Sequence, residues 1–372
     1  MKYILLLTSL LLSVSYANNK YLDNHSCKEC HEKIYDEYKG SSHSRGYFDD
    51  ELHRKIANSV SDKKYDCAVC HMPMAKNLKD IMIGKARPDK SNQTHADNVS
   101  CFFCHTVAYV KKAHMYNVNI TAKQAKNYKP SLYGRLDNPE DSDKHSSVKN
   151  PIYGQKACMG CHSHKLNENN VTIFRAMGVK DNSIECIKCH MPELDGGVDK
   201  LDKKTRGHHA SHKFLGIRDS AFRATGLDIN ISTKSDTISI KLTNKMSHPL
   251  IIQPARVKYL VVKVLRDNKM IWRSYKKSPK ENNSVYFEYR FKDENGKKII
   301  IPAKAFSGES TNLEAHSSMI ATYSSIELKK GDIVVATMYA RLAKLDCQAV
   351  VKLESEEFTE KFILKEQRYT IK

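Results

Sequence analysis

The chain has 372 residues, a formal charge of +19, and 40% hydrophobic against 28% charged residues. That length holds two ordinary domains with a core in each, and that balance excludes a disordered tail and a membrane-embedded bundle. A charge of this size suits nucleic acid or an anionic surface, but 11 cysteines and 17 histidines ask for a further cause.

The N-terminus reads as an export signal. Lys2 gives the positive start, residues 4–14 are an apolar run too short to span a bilayer, and Ser15 and Ala17 stand at −3 and −1 of a cut after Ala17. Residues 1–17 are then a signal peptide, and the remainder is periplasmic. Export removes nucleic acid from the partners that the charge suggests.

Ten of the 11 cysteines fall into five copies of C-x-x-C-H. They are Cys27, Cys30 and His31; Cys67, Cys70 and His71; Cys101, Cys104 and His105; Cys158, Cys161 and His162; and Cys186, Cys189 and His190. This is the attachment motif of haem c. Two thiols three residues apart can each form a thioether to a vinyl group of one porphyrin. The histidine that follows then faces the iron. A disulfide framework does not explain a histidine after every pair, and an odd number of such units does not divide into four-ligand zinc sites. The sequence therefore implies five covalently attached haems c. Cys347 is left over, in a strand-like stretch at 347–353, and reads as a buried inert thiol.

Twelve histidines remain beyond the five motif histidines. A second histidine on each iron needs five of them. His43 lies shortly beyond the first motif in a serine-rich loop, and His95 lies just before the third. His145 sits in the polar loop 136–150, and His212 follows the fifth motif. His248, in the C-terminal part, is the fifth candidate. His25, His53, His114 and His164 are less well placed. Met72 and Met191 each follow a haem histidine directly and precede a proline. From there they do not easily reach the opposite face of the same iron, so they read as packing and turn devices.

The motifs end at His190, and strand-like patterns begin near Asp228. The first part, 18–225, is expected to be mostly short helices and loops around five haems. The second, 226–372, alternates apolar and polar residues at 237–242, with further β-rich runs at 257–265, 285–291, 299–301, 333–339, 349–353 and 362–364. Turn signals at 294–296 and 330–332 separate them. The fold class is thus α+β: a helical and loop-rich multihaem domain followed by an antiparallel β-sandwich-like domain.

The arrangement resembles multihaem c-type cytochromes of the cytochrome c554 kind. The first motif with Tyr35, Tyr38, Ser42 and His43 looks like that family's opening haem segment, and Asn98 to His105 looks like its V-S-C-x-x-C-H segment. Tyr133 and Gly134, then His145, then the fourth motif follow the order of pentahaem relatives. Cys186 to Pro192, Arg206 and His212 to Gly216 are similar to their closing segment. In the β part Leu242 to Asn244, His248, Pro249 and Arg256 have counterparts. The resemblance implies His43, His95, His145 and His212 as distal ligands.

The function expected is electron transfer through five closely spaced haems, most with histidine on both faces. The alternative is a reductase or oxidase of a small nitrogen or sulfur compound at one open iron. Either reading calls for redox partner proteins, such as a membrane quinol oxidoreductase or a terminal reductase. The positive charge also admits a small anionic substrate or peripheral contact with a membrane.

Overall fold

The computed structural model describes residues 21–122, 129–176, 186–196 and 206–372. The expected signal peptide lies outside these residues. Each C-x-x-C-H sequence forms about one helical turn. The amide of the closing histidine bonds the carbonyl of the first cysteine in the first, second and fourth motifs, at 2.9, 3.0 and 2.9 Å. A turn of 3.6 residues brings positions i, i+3 and i+4 to one side, so both thiols and the imidazole face the same way. In the third motif the Ser100 side chain accepts from the amide of Phe103 at 3.1 Å and caps the helix Cys101–Thr106.

Among the described residues, three small two-stranded ladders lie between the motifs and a fourth follows the last motif; none was expected from the sequence. They pair Val107–Lys111 with Val118–Thr121, Ser131–Gly134 with Ser146–Lys149, His164–Leu166 with Thr172–Arg175, and Glu193–Asp195 with His208–Ala210. Each is five residues or fewer per strand, too short to show a periodic pattern.

Two larger sheets follow. A three-stranded antiparallel sheet joins Leu227–Lys234, Thr237–Asn244 and Ser318–Tyr323. A seven-stranded antiparallel sheet runs through Lys298–Ile299, Tyr286–Lys292, Val257–Arg266, Ile333–Arg341 and Lys361–Thr370, with Lys269–Arg273 and Ser307–Thr311 added at its sides. The alternation at 237–242 works as read: Ile238, Ile240 and Leu242 are fully buried. They share one core with Leu260, Val262, Val264, Phe287, Val334, Ala336 and Met338. Burying each such side chain contributes about 1.5–3 kcal/mol. Val257, Tyr259 and Val261 point the other way, into a second cluster with Tyr286, so this central strand is covered on both faces. The described chain is therefore mixed α and β, as expected.

The stretch 347–353 departs from the strand reading. Leu345–Val351 is a helix, ended by Lys352 in the left-handed region at φ 51°. Cys347 and Val351, four residues apart, both point into a cluster with Leu342, Leu353 and Phe358. Cys347 is buried and free, as expected. Leu52, on the helix Glu51–Val60, packs into the same cluster. The Glu51 carboxylate accepts from the amides of Glu354 and Ser355 at 3.0 and 2.9 Å. The helix that carries His53 is thus fastened to the C-terminal part. Leu52→Ala is expected to lower stability by about 2–5 kcal/mol, the usual cost of such a buried truncation. Chemical denaturation checks this, and a midpoint equal to wild type would show that the cluster does not brace the helix.

Candidate functional site

The five motif histidines each face a second histidine from a distant segment. Ring centres are 6.2 Å apart for His31 and His145, 6.2 Å for His105 and His212, and 6.4 Å for His190 and His248. His162 and His43 stand at 5.9 Å, and His71 and His53 at 4.9 Å. Two imidazoles on opposite faces of one metal, each with a nitrogen–metal bond of about 2 Å, hold their ring centres about 6 Å apart. Four pairs match this spacing. The His53–His71 pair is more than 1 Å tighter.

Outer ring nitrogens of five of these histidines are held by the protein. Those of His212 and His248 bond the carbonyls of Ala210 and Pro249 at 2.8 and 2.9 Å. His105 Nδ1 meets the Tyr133 carbonyl at 2.7 Å, and His190 Nδ1 meets that of Leu215. His145 Nδ1 lies 3.2 Å from the Ser147 hydroxyl. Such contacts fix the ring and leave Nε2 free to bind a metal. Asp50 Oδ2 lies 2.9 Å from His53 Nδ1 without a well-aligned hydrogen bond. Burial pulls His43 and His71 down to about 3, and His212 and His248 to about 4. These imidazoles are neutral at neutral pH, the state that ligates iron.

His95 is corrected by the structure. It is buried, but no motif histidine faces it. Its Nε2 meets Asn77 Oδ1 at 2.7 Å, and its Nδ1 accepts from the Asp89 amide at 3.1 Å. Both ring nitrogens are committed to holding a loop. His53, which the sequence reading placed low, stands opposite His71 instead. A sequence signal was present: Asp50 three residues earlier is the N-cap of its helix. Among the other histidines, His114 bonds Asn170, His208 pairs with Asp195, and His209 pairs with Glu37. Met72 is buried in a cluster with Tyr47, Tyr65 and Ile81, the packing role expected of it.

The ten motif thiols are free of disulfides. Several meet across motifs: Cys27 with Cys101, Cys70 with Cys161, and Cys158 with Cys186. The Tyr153 hydroxyl bonds the Cys104 carbonyl, while its ring stacks on His105 at 6.0 Å. The five motifs therefore form one contiguous group.

Cations stand beside it. Lys258 is buried and its amine donates to the Leu250 carbonyl at 2.6 Å, two residues past His248. Burial pulls Lys258 down to about 7 and Arg256 to about 10. Among the described residues the Arg256 guanidinium makes no side-chain hydrogen bond or ion pair. A desolvated cation asks for an anion, and a porphyrin brings carboxylates. Paired thiols and facing imidazoles near metal spacing together fit haem c.

Known proteins bear on this geometry. Residues 26–106 match the family of cytochrome c554 and c-prime. The structure is similar to a penta-heme cytochrome c552 from Thermochromatium tepidum, with a TM-score of 0.75 and 20% identity, over 94% of this chain and 99% of that one. A superoxide reductase in the oxidized state aligns over 39% of this chain and 86% of its own, at 10% identity and a TM-score of 0.18, which carries no argument. No curated protein matches the sequence significantly.

The site predicts opposite outcomes for two substitutions. His53→Ala should let the reduced protein bind about one carbon monoxide per molecule. His95→Ala should bind none, and should instead cost about 1–3 kcal/mol through its lost buried hydrogen bonds. Gas titration with optical detection checks the pair, and the reverse pattern would restore His95 as a ligand.

Proposed function

We propose that this multihaem c-type cytochrome is an electron carrier whose five irons are each held between two histidines. The observation that carries the reading is the set of five facing imidazole pairs. Two imidazoles close both axial positions of an iron, which suits electron transfer and leaves no place for a substrate. The proximal ligands are His31, His71, His105, His162 and His190. The distal partners, in the same order, are His145, His53, His212, His43 and His248. The thioether cysteines are the ten of the motifs.

Contiguity supports a path through the molecule. The thiol contacts join the first motif to the third, the second to the fourth, and the fourth to the fifth. The third reaches the fourth through Tyr153, whose hydroxyl sits on Cys104 while its chain follows the loop into Cys158. The fourth motif is then a junction from which three others are reached.

The haem-bearing part is 18–225 and the β part 226–372, the latter supplying His248. The chain acts in the periplasm. Its charge of +19 falls when ten propionates are added, but stays positive. Acidic faces on redox partners, a membrane quinol oxidoreductase on one side and a terminal acceptor on the other, match that sign.

One observation favours a second reading, a reductase of a small nitrogen or sulfur compound. The His53–His71 pair departs from the spacing of the others, and the His53 side chain is 38% exposed. An iron there is the one that could open. The carrier reading expects the reduced wild-type protein to bind no carbon monoxide. It also expects no reoxidation in a single turnover with nitrite, hydroxylamine, nitric oxide or sulfite. Stoichiometric gas binding together with rapid reoxidation by any of the four would replace the carrier with the enzyme.

A further inference from the structure

One end of the seven-stranded sheet carries a charge that its surroundings do not balance. Residues 263–280 hold seven cationic side chains and one acidic one, Asp267. The strand Val257–Arg266 turns through Asp267 and Asn268 and returns as Lys269–Arg273. Both turn residues lie in the left-handed region, at φ 50° and 63°, the conformation of a tight two-residue hairpin. Trp272, the single tryptophan of the chain, packs on the shared core and on the Tyr323 ring at 5.5 Å, which anchors the hairpin to the sheet. The residues before it are apolar and exposed: Met270 is 51% and Ile271 43% accessible. Ile271 is the extra residue of a bulge, because Val264 pairs with Trp272 and Leu265 with Met270. Among the described residues, Lys269, Arg273, Lys276 and Lys277 enter no ion pair, and all four are exposed. The acids nearby are already engaged. Asp332 takes the Arg266 guanidinium at 2.9 Å, and Glu327 takes Lys329 at 2.8 Å. Glu281 accepts from the amides of Lys276, Lys277 and Ser278 at 2.8, 2.8 and 3.0 Å, and Asp346 pairs with Lys280 at 3.6 Å.

We propose that this hairpin docks the protein on an anionic lipid bilayer: Met270 and Ile271 enter the headgroup region, and Lys269, Arg273, Lys276 and Lys277 meet lipid phosphates. This makes specific the membrane contact that the overall charge admits, and it does not depend on histidine ligation at any iron. Each cation near an anionic surface gains about fivefold in binding, and apolar side chains beside the cations add buried area. Lysines on an edge strand also keep it from pairing with another chain. Charge alone serves that role, and it gives no reason to expose Met270 and Ile271 beside the cations. An acidic protein face would match the charge too. Two adjacent apolar side chains on a narrow hairpin, one of them unpaired at a bulge, suit a fluid layer that needs no matching pocket. The contact is remote from the fifth motif. The strand Val257–Arg266 begins beside Arg256, which lies near His248, and its ten residues reach about 30 Å further to the turn. Docking there orients the molecule and leaves the haem-bearing segments to redox partners.

The test is co-sedimentation of the holoprotein with vesicles of equimolar phosphatidylglycerol and phosphatidylcholine, and with vesicles of phosphatidylcholine alone. Wild type is expected to bind the anionic vesicles, to bind the others about tenfold more weakly or less, and to be released as salt rises. Lys276→Gln with Lys277→Gln should lower the partition coefficient about 25-fold, fivefold for each cation. Lys63→Gln with Lys64→Gln removes the same charge from exposed, unpaired lysines of the haem-bearing part and should change it by less than about twofold. Met270→Ser with Ile271→Ser should lower it about tenfold, from lost apolar burial. The substituted side chains are exposed, and the optical spectrum of the haems reports that each variant is folded. Absence of binding to the anionic vesicles would overturn the proposal and leave the hairpin to an acidic protein. Equal losses from the two lysine pairs would also overturn it, because the attraction would then belong to the net charge. Unchanged binding of the Met270 and Ile271 variant would do the same, because the tip would not enter the headgroups. Vesicle binding is read without electron transfer, so failure of the carrier reading leaves this result to be judged separately.

Discussion

An imidazole buried in protein must stay neutral and must use both ring nitrogens, or the desolvation it suffers goes uncompensated. Ten histidines of this chain stand in five facing pairs, and burial disfavours the charged form of His43, His71, His212 and His248 among them. On His105, His145, His190, His212 and His248 one nitrogen is satisfied by the main chain or a neighbouring side chain, which leaves the other for a metal. His43 and His53 are the exceptions: the Nδ1 of each is buried without a hydrogen-bond partner among the described residues. The rest of the structure can be understood as the means of bringing distant segments to these five meetings.

The β-rich part takes a direct share in that work. Asn244, fully buried at the end of its strand, donates to the carbonyls of His248, Leu313 and Glu314 at 2.9, 3.0 and 3.0 Å. Lys258 holds the same loop through Leu250. These bonds fix a loop that has no helix or strand to stiffen it. On the other side of the group, Glu357 receives both Arg45, two residues after His43, and Arg218, three residues after Leu215. Exposed ion pairs contribute little, but a carboxylate shared by two guanidiniums, one of them bidentate, fixes position as well as charge. The haem-bearing segments and the sheets therefore support one another, and neither is a passive neighbour.

What the sequence disclosed follows from the range of each interaction. The motifs are local: a spacing of three and four residues is enough to place two thiols and an imidazole on one side of a turn. The buried strands also announced themselves, because period 2 at 237–242 is the physical signature of a half-covered sheet. Distal partners are not local, and position alone gave mixed results. His43, His145, His212 and His248 do stand against motif histidines. His95 does not, because its polar loop looks like one that delivers a ligand, while the groups that satisfy it, Asn77 and the Asp89 amide, are seen only in the fold. His53 lay hidden on an amphipathic helix, where a histidine reads as surface. Only the packing of Leu52 on the C-terminal cluster shows which face turns inward. Cys347 to Leu353 reads as a strand because Val350 and Val351 are β-branched. The spacing of Cys347 and Val351 fits a helix equally well, and a run this short does not decide between them.

The buried imidazoles also set the direction in which the fold is vulnerable. His43 and His71 have folded values of about 3, and His212 and His248 of about 4, against 6.5 when solvated. Below pH 6.5 the unfolded chain takes up protons that the folded chain refuses, so stability falls with pH through the window from about 6.5 down to 4 and then 3. Each unit of such a shift corresponds to about 1.4 kcal/mol for a fully buried group. Asp50 adds to the same trend by a different route. Its depressed carboxyl contributes stability above the usual carboxylate range, and that contribution is lost as pH falls through it. A metal on Nε2 would exclude the proton altogether and so would widen the gap between folded and unfolded chains. The burial that keeps these imidazoles neutral, as ligation of iron would require, is the same burial that makes the fold acid-sensitive.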